Sequence, residues 1–116
     1  MSAPTPDENF NRAMKALRAE YLAAAPQRIG ELWSALERVQ NGESEGLPEL
    51  RILVHRLAGS GGGYGFAEVS AAARAADTFC RSLIDAAADP GARDVAALRV
   101  LIQGVADAFA RAPAPE

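Results

Sequence analysis

The sequence is poor in side chains that carry chemistry. Its 116 residues include one histidine, His55, and one cysteine, Cys80. A single chain therefore cannot form a two-histidine zinc site, a cysteine-pair redox centre or a disulfide framework. Val, Ile and Thr together supply only 12 positions, whereas Ala supplies 26. This balance favours helices over strands.

The chain also lacks an excess of positive charge and a long apolar run. Its 12 Lys and Arg residues stand against 15 Asp and Glu residues, which leaves a net charge of −3. We therefore expect neither nucleic acid nor a membrane surface as a partner. The amino terminus has no cationic cluster followed by apolar residues, and no stretch approaches the roughly 20 apolar residues that span a bilayer. We expect a cytoplasmic protein without a secretory signal.

Apolar residues recur at helical spacing in five segments, which proline and glycine separate. The predicted helices begin at Pro6, behind a break or kink at Pro26, near Pro48, at Phe66 and after Gly91, and the last ends before Pro113. The third helix should end within the glycine-rich run 61–65, because each helical glycine costs about 1 kcal/mol relative to alanine. One-sided apolar stripes on helices with short linkers predict an all-α fold, an antiparallel four-helix bundle with an additional N-terminal helix.

The same pattern predicts the extent of the domain and its core. We expect one domain over residues 1–116, with an ordered core at about 7–111 and a disordered tail at 112–116. Trp33 and the phenylalanines are predicted to lie in the core. Cys80 lies on an apolar stripe and is predicted to be buried and inert.

His55 lies away from the apolar stripe of the third helix. At about 100° per residue, Leu53, Val54, Leu57 and Gly61 fall within roughly 60° of Leu50, whereas His55 falls about 140° away. His55 should therefore point out of the core. The residues predicted to flank it are Arg51, Ile52, Ala58, Gly59 and Gly62, with Arg56 about 100° to one side.

Small neighbours leave space around the imidazole. An exposed helix face is usually rich in Glu, Lys and Arg, and Gly59 weakens the helix without offering a side chain. We interpret Ile52, Ala58, Gly59 and Gly62 as candidate docking residues for a partner. On spacing alone, an incidental surface histidine near a helix end stays an open alternative.

The segment His55-Arg56-Leu57-Ala58-Gly59-Ser60, followed by Gly65-Phe66 and Ala76-Asp77, resembles the histidine phosphotransfer (HPt) domain of two-component phosphorelays. The family pattern is His, any residue, Leu, Lys, Gly, Ser, a Gly ten positions after the His, and later an acidic residue. The resemblance is strongest over residues 50–77. Two positions depart from it: Ala58 stands where the family usually has Lys, and Asp77 where Glu is more frequent.

The resemblance implies a function and partners. His55 would accept a phosphoryl group at Nε2 from a receiver-domain aspartyl phosphate and pass it to another receiver in the phosphorelay. The implied partners are response-regulator receiver domains and a hybrid or other sensor histidine kinase. The chain would need no cofactor of its own, with Mg²⁺ expected in the partner receiver.

Other residues limit or support this chemistry. We expect no autokinase activity, because no Lys-Ser/Thr pair closes the glycine run and no strand precedes it. Ser60 lacks a second histidine to activate it and is interpreted as a local hydrogen-bonding residue. Arg51, one turn before His55, and Arg56, beside it, are candidates for the phosphoryl support that Ala58 does not supply. Arg51 is better placed by angle.

Two other functions stay open. A helical adaptor could bind a receiver or kinase without accepting phosphate, which alanine in place of the family lysine at position 58 favours. A structural or dimerisation domain would need a large apolar patch elsewhere on the surface. We expect a monomer, which a sedimentation measurement would test.

Overall fold

The computed structural model describes residues 3–113. Within them the chain forms five α-helices, which are α1 (Pro6–Ala23), α2 (Ala25–Gln40), α3 (Gly46–Gly63), α4 (Ala67–Ala86) and α5 (Ala92–Arg111). No strand occurs among these residues, so the predicted all-α fold is confirmed. Of the predicted disordered tail, residues 114–116 lie outside the described part of the chain.

Helices α2 to α5 form a four-helix bundle. Helix α3 packs against α2 and α4, and α5 closes the ring by packing against α4 and α2. The linkers are short, as in antiparallel up-and-down bundles. The largest fully buried side chains come from all four helices and are Leu32, Leu36, Leu50, Val54, Val69, Cys80, Leu98, Ile102 and Val105.

The two ends of α1 follow the sequence prediction. The Thr5 hydroxyl accepts a hydrogen bond from the Glu8 amide at 3.1 Å, and the Glu8 carboxylate accepts one from the Thr5 amide at 3.3 Å. This capping box satisfies amides that would otherwise lack partners at the helix start. One residue, Ala24, separates α1 from α2, and Pro26 lies in the first turn of α2. The predicted break at Pro26 is confirmed.

Most of α1 extends beyond the bundle. Tyr21 is its only buried residue, and the molecule is 64 Å long but only 22 by 19 Å across. Phe10 is 64% exposed, so its predicted place in the core is wrong. Helical spacing shows which side chains share a face, but no other helix covers this face. The other aromatic predictions hold better, since Phe66 and Phe109 are buried and Trp33 and Phe79 pack partly buried against the core.

Helix α3 begins at Gly46, two residues before the predicted start. A side chain at Gly46 would place its Cβ only 2.7 Å from the Val39 backbone nitrogen, so glycine lets the start of α3 lie directly on α2. At its other end, α3 continues to Gly63, inside the run where the sequence predicts its end.

A glycine turn joins α3 to α4. The Gly65 amide donates to the Gly62 carbonyl at 3.1 Å, and the Phe66 amide donates to the Gly61 carbonyl at 2.7 Å. Gly65 has a φ of +85°, in the left-handed region that glycine adopts at little cost. These two bonds form a Schellman motif. The glycine ten positions after His55 therefore reverses the chain and returns α4 alongside α3.

No helix among residues 3–113 combines the length and the apolar composition needed to cross a membrane.

Candidate functional site

His55 lies on the outer face of α3. Leu50, Val54 and Leu57 of the same helix are buried, whereas the His55 side chain is 56% exposed. The angular prediction for His55 is confirmed. The ring is therefore accessible to a partner while its helix is anchored in the core.

Asp77 of α4 holds one side of the imidazole. Its carboxylate Oδ2 lies 3.0 Å from His55 Nδ1, and the residue is only 7% exposed. An ionised carboxylate can only accept hydrogen bonds, so Nδ1 carries the proton in this contact. In the neutral ring, the lone pair then lies on Nε2, on the outer side of the imidazole.

Two arginines flank the other carboxylate oxygen. Arg51 Nε lies 3.3 Å from Asp77 Oδ1, and Arg81 Nε lies 3.5 Å from the same atom. Neither contact has hydrogen-bond geometry, so Oδ1 is buried without a hydrogen-bond partner. The two guanidinium groups therefore lie beside Asp77 as positive charges without donating a hydrogen bond to Oδ1.

Close packing of α3 on α4 sets the register that places Asp77 beside His55. The Ser70 hydroxyl of α4 donates to the Ala58 carbonyl at 2.6 Å, and a Cβ at Gly61 would lie 3.2 Å from the Ser70 amide nitrogen. Small residues on α3 thus allow the helices to approach closely. Asp77 follows Ser70 by about two turns, which brings its carboxylate level with His55.

The candidate docking residues separate into exposed and buried ones. Ile52 is exposed, and Gly59 is exposed with open space where a side chain would lie. Gly62 is also exposed, but a Cβ there would lie 3.3 Å from the Ser70 hydroxyl oxygen, so its side-chain direction faces α4. Ala58 is buried at 7% exposure, because α4 covers that side of α3, so its side chain offers no surface to a partner. The expectation that Ala58 lies open beside the ring is therefore wrong.

The two candidate arginines lie in different places. Arg51 contacts Asp77 and belongs to the site around His55. Arg56 is exposed and lines a shallow depression toward α2, together with Arg28, Glu31 and Ser60. The structure therefore brings Arg51, but not Arg56, to the carboxylate that holds the imidazole.

Ser60 ties the end of α3 to α1. The Tyr21 hydroxyl and the Ser60 hydroxyl are 2.7 Å apart, so Ser60 is a hydrogen-bonding residue as predicted, but its partner lies on a distant helix and is not local. Burial raises the pKa of Tyr21, and the hydrogen bond to Ser60 opposes this rise. Arg18 also donates from Nε to the Tyr64 carbonyl at 2.8 Å. The last turns of α1 thereby brace the α3–α4 turn.

Cys80 lies under the site and is buried, as predicted. Burial, and secondly the negative charge of Asp77, raise the pKa of its thiol to about 12. The nucleophilic thiolate is therefore scarce near neutral pH, which agrees with an inert cysteine.

The sequence prediction missed the roles of Asp77 and Arg81. Asp77 appeared only as the acidic end of a motif, and Arg81 did not appear at all. Their spacing of four residues places both on one face of α4, and the sequence alone shows this spacing. Which face of α4 meets His55 depends on the packing of α3 against α4. Among residues 3–113, no three His, Cys, Asp or Glu side chains group closely enough to hold a metal ion.

Fold and site together define a four-helix bundle that displays one histidine, held at Nδ1 by a buried carboxylate. The family model of the Hpt domain matches residues 16–108. The chain therefore belongs to the Hpt domain family, whose members serve in histidine phosphotransfer. A search of curated proteins and a search of solved structures found no match.

Proposed function

We propose that His55 accepts a phosphoryl group on Nε2 from the aspartyl phosphate of a receiver domain and passes it to the aspartate of another receiver. The observation that carries this proposal is the contact between His55 Nδ1 and the buried Asp77 carboxylate. That contact directs the ring lone pair to Nε2 on an exposed side chain. A receiver can reach this atom without any rearrangement of the bundle.

The transfer needs no base in this chain. The Nε2 lone pair attacks phosphorus, the bond between phosphorus and the aspartyl oxygen breaks, and the receiver carboxylate leaves with that electron pair. Nδ1 keeps its proton, so the ring becomes positively charged when the N–P bond forms. The adjacent Asp77 carboxylate stabilises this charge. In the second transfer, an aspartate oxygen of the other receiver attacks phosphorus, the N–P bond breaks, and Nε2 recovers its lone pair as the ring returns to its neutral form.

The receiver would supply the parts that this chain lacks. Catalysis of phosphoryl transfer is largely positioning and charge stabilisation, which Mg²⁺ and receiver side chains would provide. Ile52, Gly59 and Gly62 are the residues we assign to docking. A hybrid or other sensor histidine kinase would feed the first receiver. Monomeric state and a cytoplasmic location stay predictions.

The direct test is phosphoryl uptake. The chain is mixed with a panel of phosphorylated receivers, and the product is tested for an acid-labile, alkali-stable phosphoryl group. We expect labelling from at least one receiver. A chain that binds receivers but stays unlabelled with all of them would instead identify the adaptor function that Ala58 in place of lysine favours.

Substitutions of Asp77 should slow phosphoryl uptake to different degrees. Asp77→Asn keeps an acceptor for the Nδ1 proton but removes the charge, and we expect uptake to slow by about 10- to 100-fold, the size of a hydrogen bond to a charged group. Asp77→Ala removes both the acceptor and the charge and should be slower still. Initial uptake rates measure this, with circular dichroism to verify folding. Uptake at the wild-type rate in Asp77→Ala would contradict the role of the carboxylate.

Gly59→Ala should separate stability from docking. Neither Gly59 nor Gly30 of α2 has an atom within 4 Å of an added Cβ, so alanine fits at both. Each substitution should raise the free energy of unfolding by about 0.5–1 kcal/mol, because alanine is the better helix former. Only Gly59→Ala adds a methyl group beside His55, and we expect it to slow transfer several-fold. Equal transfer rates in the two variants would remove Gly59 from the docking surface.

A further inference from the structure

The first part of α1 carries an apolar face that no other helix among residues 3–113 covers. Phe10 is 64% exposed and Leu17 is 40% exposed, whereas Tyr21, the next residue of the stripe, is buried against the bundle. At about 100° per residue, Phe10, Met14 and Leu17 fall within roughly 40° of Tyr21. One straight stripe therefore starts in solvent and ends in the core.

This segment is a helix without a packing surface. Residues 6–17 form about three turns, and isolated helices shorter than about 12–15 residues are marginal in water. Most helices gain their stability by packing an apolar face against a neighbour. The apolar positions from Phe10 to Tyr21 follow at steps of four, three and four residues, which is the spacing of a coiled-coil seam. The partner that fits this face is therefore another amphipathic helix.

Two charged residues at the edge of the stripe indicate which helix fits. Asp7 and Arg18 fall about 40° and 60° to the same side of the stripe. Arg18 follows Asp7 by 11 residues, which is about 16 Å along the helix. When a two-fold axis relates two antiparallel copies, the same edge of each helix meets, so Asp7 of either copy lies opposite Arg18 of the other. A parallel pair would place like charges side by side.

We propose that two copies of this chain pair through residues 7–18 of α1, in an antiparallel two-helix contact. This order places Phe10 of each copy beside Met14 of the other and closes both ends with an ion pair. Arg18 Nε already donates to the Tyr64 carbonyl at 2.8 Å, which holds the guanidinium group at the end of the bundle, and a guanidinium group has four further N–H donors. The contact uses the same surface on both copies, so assembly stops at two.

The small size of the contact sets its strength. Few apolar side chains of each copy take part, so the contact lies at the low end of specific interfaces, and exposed ion pairs add little energy. We expect a dissociation constant on the order of 10–100 µM. The monomer predicted from the sequence is then the form present in dilute solution. The sequence also placed Phe10 in the core, and the exposure of this side chain is what supplies the contact surface.

The first test is sedimentation equilibrium of the whole chain between about 1 µM and 1 mM. The average mass of the wild type should rise from one chain toward two. Phe10→Ala should raise the dissociation constant at least about tenfold, because central aromatic residues carry much of the energy of an interface. Alanine is the better helix former, so a weaker helix cannot explain this loss. Val100→Ala is the matched control, since it removes a 71% exposed side chain of α5, and it should leave the dissociation constant unchanged.

A cross-linking experiment tests the antiparallel order. Asp7→Cys and Arg18→Cys chains are treated with a short bifunctional maleimide, alone and mixed. A mixed pair brings the two introduced thiols together and keeps one of the two ion pairs, so we expect cross-links in the mixture. Each variant alone holds its thiols about 16 Å apart along the helix and should not cross-link. The wild type is the control, since its only thiol, that of Cys80, is buried.

Three results would count against the pairing. A wild type that stays a single chain up to about 1 mM would overturn it, as would equal dissociation constants for Phe10→Ala and Val100→Ala. Cross-links in Asp7→Cys alone would overturn the antiparallel order. If the wild type stays monomeric while Phe10→Ala weakens binding to a receiver, the face belongs to the receiver and not to a second copy. None of these outcomes depends on phosphoryl transfer to His55.

Discussion

Replacing His55 with glutamine should reduce phosphoryl uptake from a phosphorylated receiver to background. Glutamine is a good helix former and can donate an amide hydrogen bond toward Asp77, so the exposed face of α3 keeps its shape. The amide nitrogen has no available lone pair for attack on phosphorus, whereas neutral imidazole does. Because the chain has no second histidine, no other side chain can replace His55.

The controls for this variant are folding and receiver binding. Thermal unfolding should match the wild type, since His55 is exposed and contributes little to the core. Affinity for a receiver should stay within a few-fold, because the docking surface is otherwise intact. Acid-labile labelling of His55→Gln would mean that another atom accepts the phosphoryl group and that the assignment of His55 is wrong.

Replacing Ile102 with alanine should lower the free energy of unfolding by about 2–5 kcal/mol. Ile102 is fully buried on α5. Truncating its side chain to alanine leaves a cavity that the surrounding helices can fill only partly. Small domains have a total stability of about 5–15 kcal/mol, so this loss is a large share. Urea unfolding followed by circular dichroism measures it, and the change should appear in the midpoint with little change in slope.

Val100→Ala is the matched control for Ile102→Ala. Val100 is also β-branched, lies two residues away on the same helix and is 71% exposed. Both substitutions gain helix propensity, but only Ile102→Ala loses buried contacts. We expect Val100→Ala to change the free energy of unfolding by no more than about 0.5 kcal/mol. A similar loss in both variants would show that the apolar face of α5 does not hold the bundle together.

The local signals in the sequence predicted the helices well. The Thr5 to Glu8 pattern predicts a capped helix start, and Pro26 predicts the break that follows. Gly65 lies where the structure needs a left-handed residue. Each of these features depends on contacts between residues close in the chain, so each can be predicted from the sequence.

The errors and omissions concern contacts between distant segments. Phe10 has the spacing of a core residue, but most of α1 extends past the bundle and leaves this side chain in solvent. Ala58 has the angle of a surface residue, but α4 covers it. Angles on one helix do not reveal which neighbouring helix lies over a given face, and in both cases that neighbour decides burial.

The sequence by itself determined the helical class, the outward direction of His55 and the resemblance to HPt domains, because helical periodicity and short motifs are local. Only the tertiary structure decided how the site around that histidine is built. The register between α3 and α4 places Asp77 at Nδ1 and brings Arg81 beside Arg51. These residues are 22 or more positions from His55 or Arg51 in the chain, and the close packing that small residues permit between the two helices is what joins them.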